Sequence, residues 1–156
     1  LPEGAASVSG IRHLVHPLGL LSGGESVAVL TPGAGFHGGW EEAEAARELI
    51  DAGVAVALST GYHPLESPTP SMPMIVSLAC SRSRMSPAEA LTAATINAAH
   101  VLGLAAEAGS LEVGKSADLL IMNASDYREI PLHFGVNPVA MALRRGQVIY
   151  PRLESV

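Results

Sequence analysis

The chain is short of charge. Only 15% of its 156 residues are Asp, Glu, Lys or Arg, while 48% are hydrophobic; ordinary soluble domains carry roughly 25% charged residues. A chain so poor in charge should bury more surface than its own length allows, which points to further chain or an obligate partner. Basic residues are few, with a single lysine, Lys115, and the net charge is −6. Binding nucleic acid needs a basic stripe to neutralise phosphates, and the only adjacent basic pair is Arg144-Arg145, so nucleic acid is not an expected partner. There is one cysteine, Cys80, which excludes an internal disulfide and fits a reducing, cytoplasmic setting. It follows the apolar run Ile75–Ala79 and reads as a buried thiol rather than a nucleophile. No apolar stretch approaches the roughly 18 residues of a membrane span, and the N-terminus has no basic-plus-apolar signal pattern, so no membrane partner is expected. The first residue is Leu1 rather than Met, which fits a fragment or a processed product.

What is present reads as strand and helix in alternation. Ala5-Ala6-Ser7-Val8 is a candidate short strand, and residues 9–25, with Gly10, Pro17, Gly19, Gly23 and Gly24, read as loop. Ser26–Leu30 is a continuous apolar strand that runs into Thr31-Pro32-Gly33. Trp40-Glu41-Glu42 opens a helix with negative charge at its N-terminus; Ala43, Ala46 and Ile50 recur at helical spacing, and Gly53 caps the end. Val54–Leu58 is a second continuous apolar strand. Apolar strand, helix, apolar strand is a parallel βαβ unit. A Pro/Ser/Thr-rich loop over 60–73 leads to a helix from about Pro73 to Arg82. Ser86-Pro87-Ala88-Glu89 is a capping box with proline at the first helical position, and the helix it opens is expected to continue to Leu102 and stop at Gly103. Beyond residue 109 the pattern becomes short strands, Leu119–Met122, Val139–Leu143 and Gln147–Tyr150, with Arg145-Gly146 as a hairpin turn.

Two stretches carry a family resemblance. Met85–Leu104 followed by Gly109-Ser110-Leu111-Glu112-Val113-Gly114-Lys115-Ser116-Ala117-Asp118-Leu119 resembles the amidohydrolase superfamily, at the point where the last barrel helix hands the chain to a small β-sandwich. Pro68–Met74, Tyr127–Pro131 and His133–Asn137 narrow the resemblance to imidazolonepropionases. The resemblance implies an α/β fold: the C-terminal part of a TIM-like (β/α)8 hydrolase barrel over residues 1–108, then strands of a β-sandwich over 109–156. A whole barrel needs roughly 250 residues, and this chain would supply three strands, near 5–8, 26–31 and 54–59. It further implies a small-molecule substrate, 4-imidazolone-5-propanoate, hydrolysed to N-formimidoyl-L-glutamate in histidine degradation. In that family a zinc or iron ion activates the attacking water.

The same resemblance singles out site residues, several of which depart from the family pattern. The family places an Asp metal ligand after a Ser-Thr pair, opening an Asp-x-Asn-Pro-Gly run. Here the run is Ser59-Thr60-Gly61-Tyr62-His63-Pro64-Leu65. Gly61 takes the Asp position and has no side chain to bind metal or accept a proton. His63 replaces the Asn and Leu65 the Gly; His63 and Ser67 are the substrate-binding candidates. The family's catalytic His follows the sixth strand in an Asp-His pair. Aligned on Gly4–Val8 that pair becomes Ser9-Gly10, whereas a shifted register brings His13 to it, and His13 is the catalytic candidate. The remaining family ligands would lie upstream of Leu1. The chain by itself is therefore expected to bind no metal, to show weak or absent activity, and to need missing N-terminal chain or a homo-oligomer; the rival reading is a catalytically dead relative that acts only as a folded or interacting fragment.

Plainer readings compete at each position. His37 and His63 each follow an apolar strand, at the end where barrel chemistry is done, so His13, His37 and His63 could in principle rebuild a metal site; no carboxylate stands beside them except the loop residue Glu66. His13 and His16 have helical spacing, but Pro17 and Gly19 argue against a helix. His100 and His133 read as packing and structural residues. The glycine-rich segment Gly33–Gly39 lacks the Gly-Lys-Ser/Thr ending and Gly-x-Gly-x-x-Gly spacing of phosphate loops, and reads as a loop at the site.

Overall fold

A computed structural model describes residues 27–38 and 42–151, without the side chains of residues 37, 38 and 42–45. The strand expected at Ala5–Val8 and the histidines His13 and His16 lie outside the described residues. The first described element is β1 (Val27–Leu30), followed by a 3-10 turn over Pro32–Ala34 and a single helical turn, α1 (Gly35–Gly38). Helix α2 (Glu42–Asp51) returns the chain to β2 (Ala55–Leu58), which pairs with β1 in parallel. This is the βαβ unit expected from the alternation of apolar runs. The pairing is level: Val27 faces Ala55 and Leu30 faces Leu58.

Three helices follow the pair. They are α3 (Met72–Ser81), α4 (Pro87–Ala94) and α5 (Ile96–Val101). The core gathers Leu30, Val56 and Leu58 from the strands with Ala46, Ile75, Val76, Leu78, Ala79, Met85, Ala90 and Ala93 from the helices and their connections. Ile75 is wholly buried, and deleting such a side chain typically costs about 2–5 kcal/mol. Cys80 is half-buried beside this core, and burial raises its thiol pKa. Among the described residues no helix is long and apolar enough to cross a membrane.

The helix expected to run unbroken from Pro87 to Leu102 is broken at Thr95. Thr95 leaves the helical region (φ −123°, ψ −94°), and its hydroxyl donates to the Leu91 carbonyl at 2.6 Å. A threonine hydroxyl bonded four residues back competes with the backbone ladder and bends a helix. After the bend, the Asn97 side-chain amide donates to the Val56 carbonyl at 2.8 Å. Val56 is buried, so this bond satisfies a strand carbonyl that would be costly to leave unpaired. The bend also changes which residues of the last turns are covered. Ala99 is buried, whereas His100, expected as a packing residue, is exposed.

Beyond the helices lies a separate antiparallel sheet of β3 (Leu119–Met122), β4 (Val139–Arg144) and β5 (Gln147–Tyr150), in the order β3-β4-β5. Arg145 and Gly146 turn the β4–β5 hairpin with φ of 50° and 77°, the two positive angles that a tight twisted hairpin demands. Asp118 accepts the Arg145 N–H at 2.6 Å and locks that turn to the start of β3. Between β3 and β4 a 3-10 turn over Tyr127–Leu132 packs against α3 and α4 and buries Ile130.

The capping box forms as the sequence implies, and then does a second job. Ser86 accepts from the Glu89 N–H at 3.3 Å, and Glu89 accepts from the Ser86 N–H at 2.8 Å. Both Glu89 oxygens also accept from Arg47 of α2, each at 3.1 Å. Arg47 in turn reaches Asp51 at 2.9 Å. One carboxylate thus caps α4 and ties it to α2. The Arg47 guanidinium, then the Ser86 N–H, lower the Glu89 pKa from the usual 4.5 to about 2. A depressed carboxylate pKa contributes stability that is whole above the unfolded value and is lost as pH falls through the folded one. The urea midpoint of the parent chain should therefore fall more steeply than that of Glu89→Gln as pH drops from about 4.5 towards 2. Parallel midpoint curves for the two chains would show that the Arg47–Glu89 pair adds nothing.

Candidate active site at the strand ends

Parallel strands in level register bring their C-terminal ends to one edge. The loops that leave β1 and β2 must therefore meet, and in parallel α/β folds this is the edge where sites are built. The ladder extends one step past the strands, with the Ser59 N–H donating to the Leu30 carbonyl at 2.9 Å. Thr31 is buried immediately after β1. Pro32 starts the 3-10 turn that follows, and the Thr31 carbonyl accepts from the Ala34 N–H at 2.9 Å.

The loop after β2 is held by its own short side chains. Ser59 Oγ accepts from the Gly61 N–H at 3.1 Å, and Thr60 Oγ1 from the Tyr62 N–H at 3.4 Å. His63 and Ser67 exchange both backbone hydrogen bonds at 3.0 Å, which closes a tip over Pro64, Leu65 and Glu66. Ser67 is wholly buried, and its hydroxyl donates to the Thr60 carbonyl at 2.6 Å. A side chain at Gly33 would run into that hydroxyl, so the β1 loop passes tightly against the β2 loop there. Further on, Ser71 caps α3 by accepting from the Met74 N–H at 3.3 Å.

Of the site candidates, the structure places His63, Ser67 and Gly61 in this one loop. His63 is exposed, with Nδ1 accepting from the Leu65 N–H at 3.4 Å. Ser67 lies beneath it, committed to the loop's own backbone. Leu65 and Glu66 are exposed at the tip. Gly61 adopts φ +52°, and a Cβ built on it would stand 2.7 Å from Thr31 Cγ2 and 3.0 Å from Thr31 Cβ. His13 is outside the described residues, as is the side chain of His37, so the combination of His13, His37 and His63 cannot be assembled from them. His133 is exposed at the end of the 3-10 turn and belongs to another part of the chain.

A metal centre does not fit the described residues. No group of three or more His, Cys, Asp or Glu side chains among them is disposed to hold an ion. Gly61, where the resemblance implies a ligand, carries no side chain, and the space of its Cβ is taken by Thr31. Sequence reading located the loop but missed the contacts that close it, namely Thr31 against Gly61 and Gly33 against Ser67. The signal available was a Thr-Pro-Gly and a Ser-Thr-Gly at equivalent distances past two paired strands, which implies close approach only once the register is known.

The amidohydrolase family model matches residues 40–149. The chain belongs to the amidohydrolase family. Among curated relatives, it is 50% identical over 123 residues to the imidazolonepropionase of Geobacillus thermodenitrificans, covering 79% of this chain and 29% of that protein. It is 46% identical over 144 residues to the imidazolonepropionase of Geobacillus kaustophilus, covering 92% of this chain and 32% of that one. This amidohydrolase chain thus spans less than a third of the length of these relatives and is imidazolonepropionase-like in sequence. Among solved structures it is similar to a zinc-bound adenosine deaminase from Xanthomonas campestris, with a TM-score of 0.66 and 22% identity over 78% of this chain and 31% of that one. It is also similar to a putative prolidase from Bifidobacterium longum, with a TM-score of 0.56 and 34% identity over 69% of this chain and 26% of that one. These likenesses show the mixed α/β fold of TIM-barrel-type hydrolases.

The loop geometry makes a direct demand on Ser67. Replacing it with alanine leaves the Thr60 carbonyl without its buried donor, at a typical cost of about 1–3 kcal/mol. Ser67→Ala should lower the urea midpoint accordingly, whereas Glu66→Ala, at the exposed tip, should stay within about 0.5 kcal/mol of the parent. Equal effects of the two changes would show that Ser67 does not anchor the loop.

Proposed function

We propose that this chain is the C-terminal barrel portion of an imidazolonepropionase-type hydrolase, acting on 4-imidazolone-5-propanoate to give N-formimidoyl-L-glutamate. The observation that carries the reading is identity of 43–50% to imidazolonepropionases across most of the chain, with the aligned loop standing at the strand-end edge of the parallel pair. Residues 1–108 form the barrel part and 109–156 the sandwich part. Support for the latter is the three-stranded antiparallel sheet, whose Leu120, Ile121 and Ile149 are exposed and present apolar surface of the kind a second sheet covers. Support for an incomplete barrel is that β2 pairs, among the described residues, with β1 alone. Further chain upstream, or a second copy, would complete it, and a cytoplasmic location goes with the single cysteine.

In this reading the chain's own contribution to the site is recognition. Because His63 Nδ1 accepts from Leu65, the neutral ring carries its proton on Nε2, where it can donate to an oxygen of the substrate. Ser67 and Thr60 hold the loop that carries His63. Position 61 offers no donor or base, and the described residues supply no metal ligand set, so any zinc or iron would be held by groups outside them. His13 is the proposed catalytic histidine of the segment before β1.

The test joins the upstream two-thirds of the Geobacillus kaustophilus enzyme to this chain and follows loss of imidazolone absorbance. Turnover should be detectable but about 10²–10⁴-fold below that of the relative, the usual worth of a missing acid–base group. His63→Ala in the fusion should raise KM about 2–10-fold with little change in urea midpoint, as expected for one lost hydrogen bond to substrate. A folded fusion with no turnover above the substrate-only control would rule the activity out for this chain.

A further inference from the structure

We infer that Thr31 and Gly61 are a mated pair: the side chain at 31 occupies the place that any side chain at 61 would need, so the strand-end position cannot take a carboxylate unless residue 31 changes with it. The carboxylate part of this inference rests on the reading of position 61 as the family's ligand position; the steric part does not. Two features of Gly61 combine. Its φ of +52° is in the left-handed region, which is strained for residues that carry a Cβ. Separately, its Cβ would approach Thr31 Cγ2 to 2.7 Å and Thr31 Cβ to 3.0 Å, well inside the roughly 3.5–4.0 Å of a favourable carbon contact.

Thr31 cannot easily give way. It is buried, it follows β1 directly, and Pro32 fixes the chain on its far side. The Gly61 backbone is held as well, by the Ser59 hydroxyl on its N–H and by the Ser67 hydroxyl on the neighbouring Thr60 carbonyl. Ser67 itself occupies the space that a side chain at position 33 would need. The two strand-end loops are therefore interlocked at two places, Thr31 with Gly61 and Gly33 with Ser67. Thr31 and Ser67 together set where the β2 loop runs. The departure at position 61 is thus not a single missing side chain but a loop fitted around glycine.

A double-mutant cycle on the full chain tests this. Gly61→Ala is introduced with threonine, serine or glycine at position 31, and the unfolding equilibrium constant is read by urea titration and circular dichroism. Beside Thr31, Gly61→Ala should raise the unfolding constant about 10²-fold or more, since left-handed strain and overpacking add. Beside Thr31→Ser, which deletes only the methyl group, the rise should be smaller. Beside Thr31→Gly it should shrink to about tenfold, the backbone cost alone. If Gly61→Ala prevents folding beside threonine, the same order appears as recovery of folding in the serine and glycine backgrounds. An equal penalty in all three backgrounds, no penalty in any, or no recovery overturns the pairing. The cycle reads stability alone, so it can fail while the fusion turns over, and it can succeed while the fusion does not.

Discussion

The level parallel pairing of β1 with β2 is the constraint from which the site follows. With Leu30 opposite Leu58, the next residues of each strand have nowhere to go but against each other. Thr31 meets Gly61, and Gly33 meets Ser67. A register shifted by one residue would exchange the faces of the strand and would move the loop contacts out of line. The chemistry of the strand ends is therefore decided by backbone pairing first and by side-chain identity second.

The helices serve that pairing. Asn97 reaches Val56 because Thr95 bends the last helix, and Glu89 both caps α4 and holds α2 through Arg47. Each of these is a polar bond placed at the margin of an apolar core, where water is partly excluded and an unmade bond is costly. Together they fix α2, α4 and α5, each of which packs on β2. The antiparallel sheet after residue 118 is joined to this body through the Tyr127–Leu132 turn, which packs on α3 and α4.

Membership of the amidohydrolase family and the state of the strand ends stand in tension within this chain. Identity to imidazolonepropionases is 46–50% over most of the chain. The resemblance implies an Asp at position 61; this chain has glycine there, and Thr31 fills the space that a side chain would need. Packing residues and chemical residues answer to different demands: a core position is held by volume, a ligand position by its donor atom.

The sequence alone determined most of the local structure, because short-range physics decides it. The Ser86–Glu89 capping box, the glycine stop at Gly53, the Arg145-Gly146 hairpin and the two apolar strands were legible from residue types and their spacing, and all are present. The break at Thr95 was not, since threonine is compatible with a helix until its hydroxyl finds a carbonyl four residues back. Exposure of His100 went unread for the same reason, because the bend alters which part of the last turns is covered. The motif also marked Gly61 as a departure from a ligand position. Only the tertiary structure decided that the departure is shared with Thr31, because contact between residues thirty apart depends on strand register and on the approach of two loops, neither of which is carried by the identity of either residue.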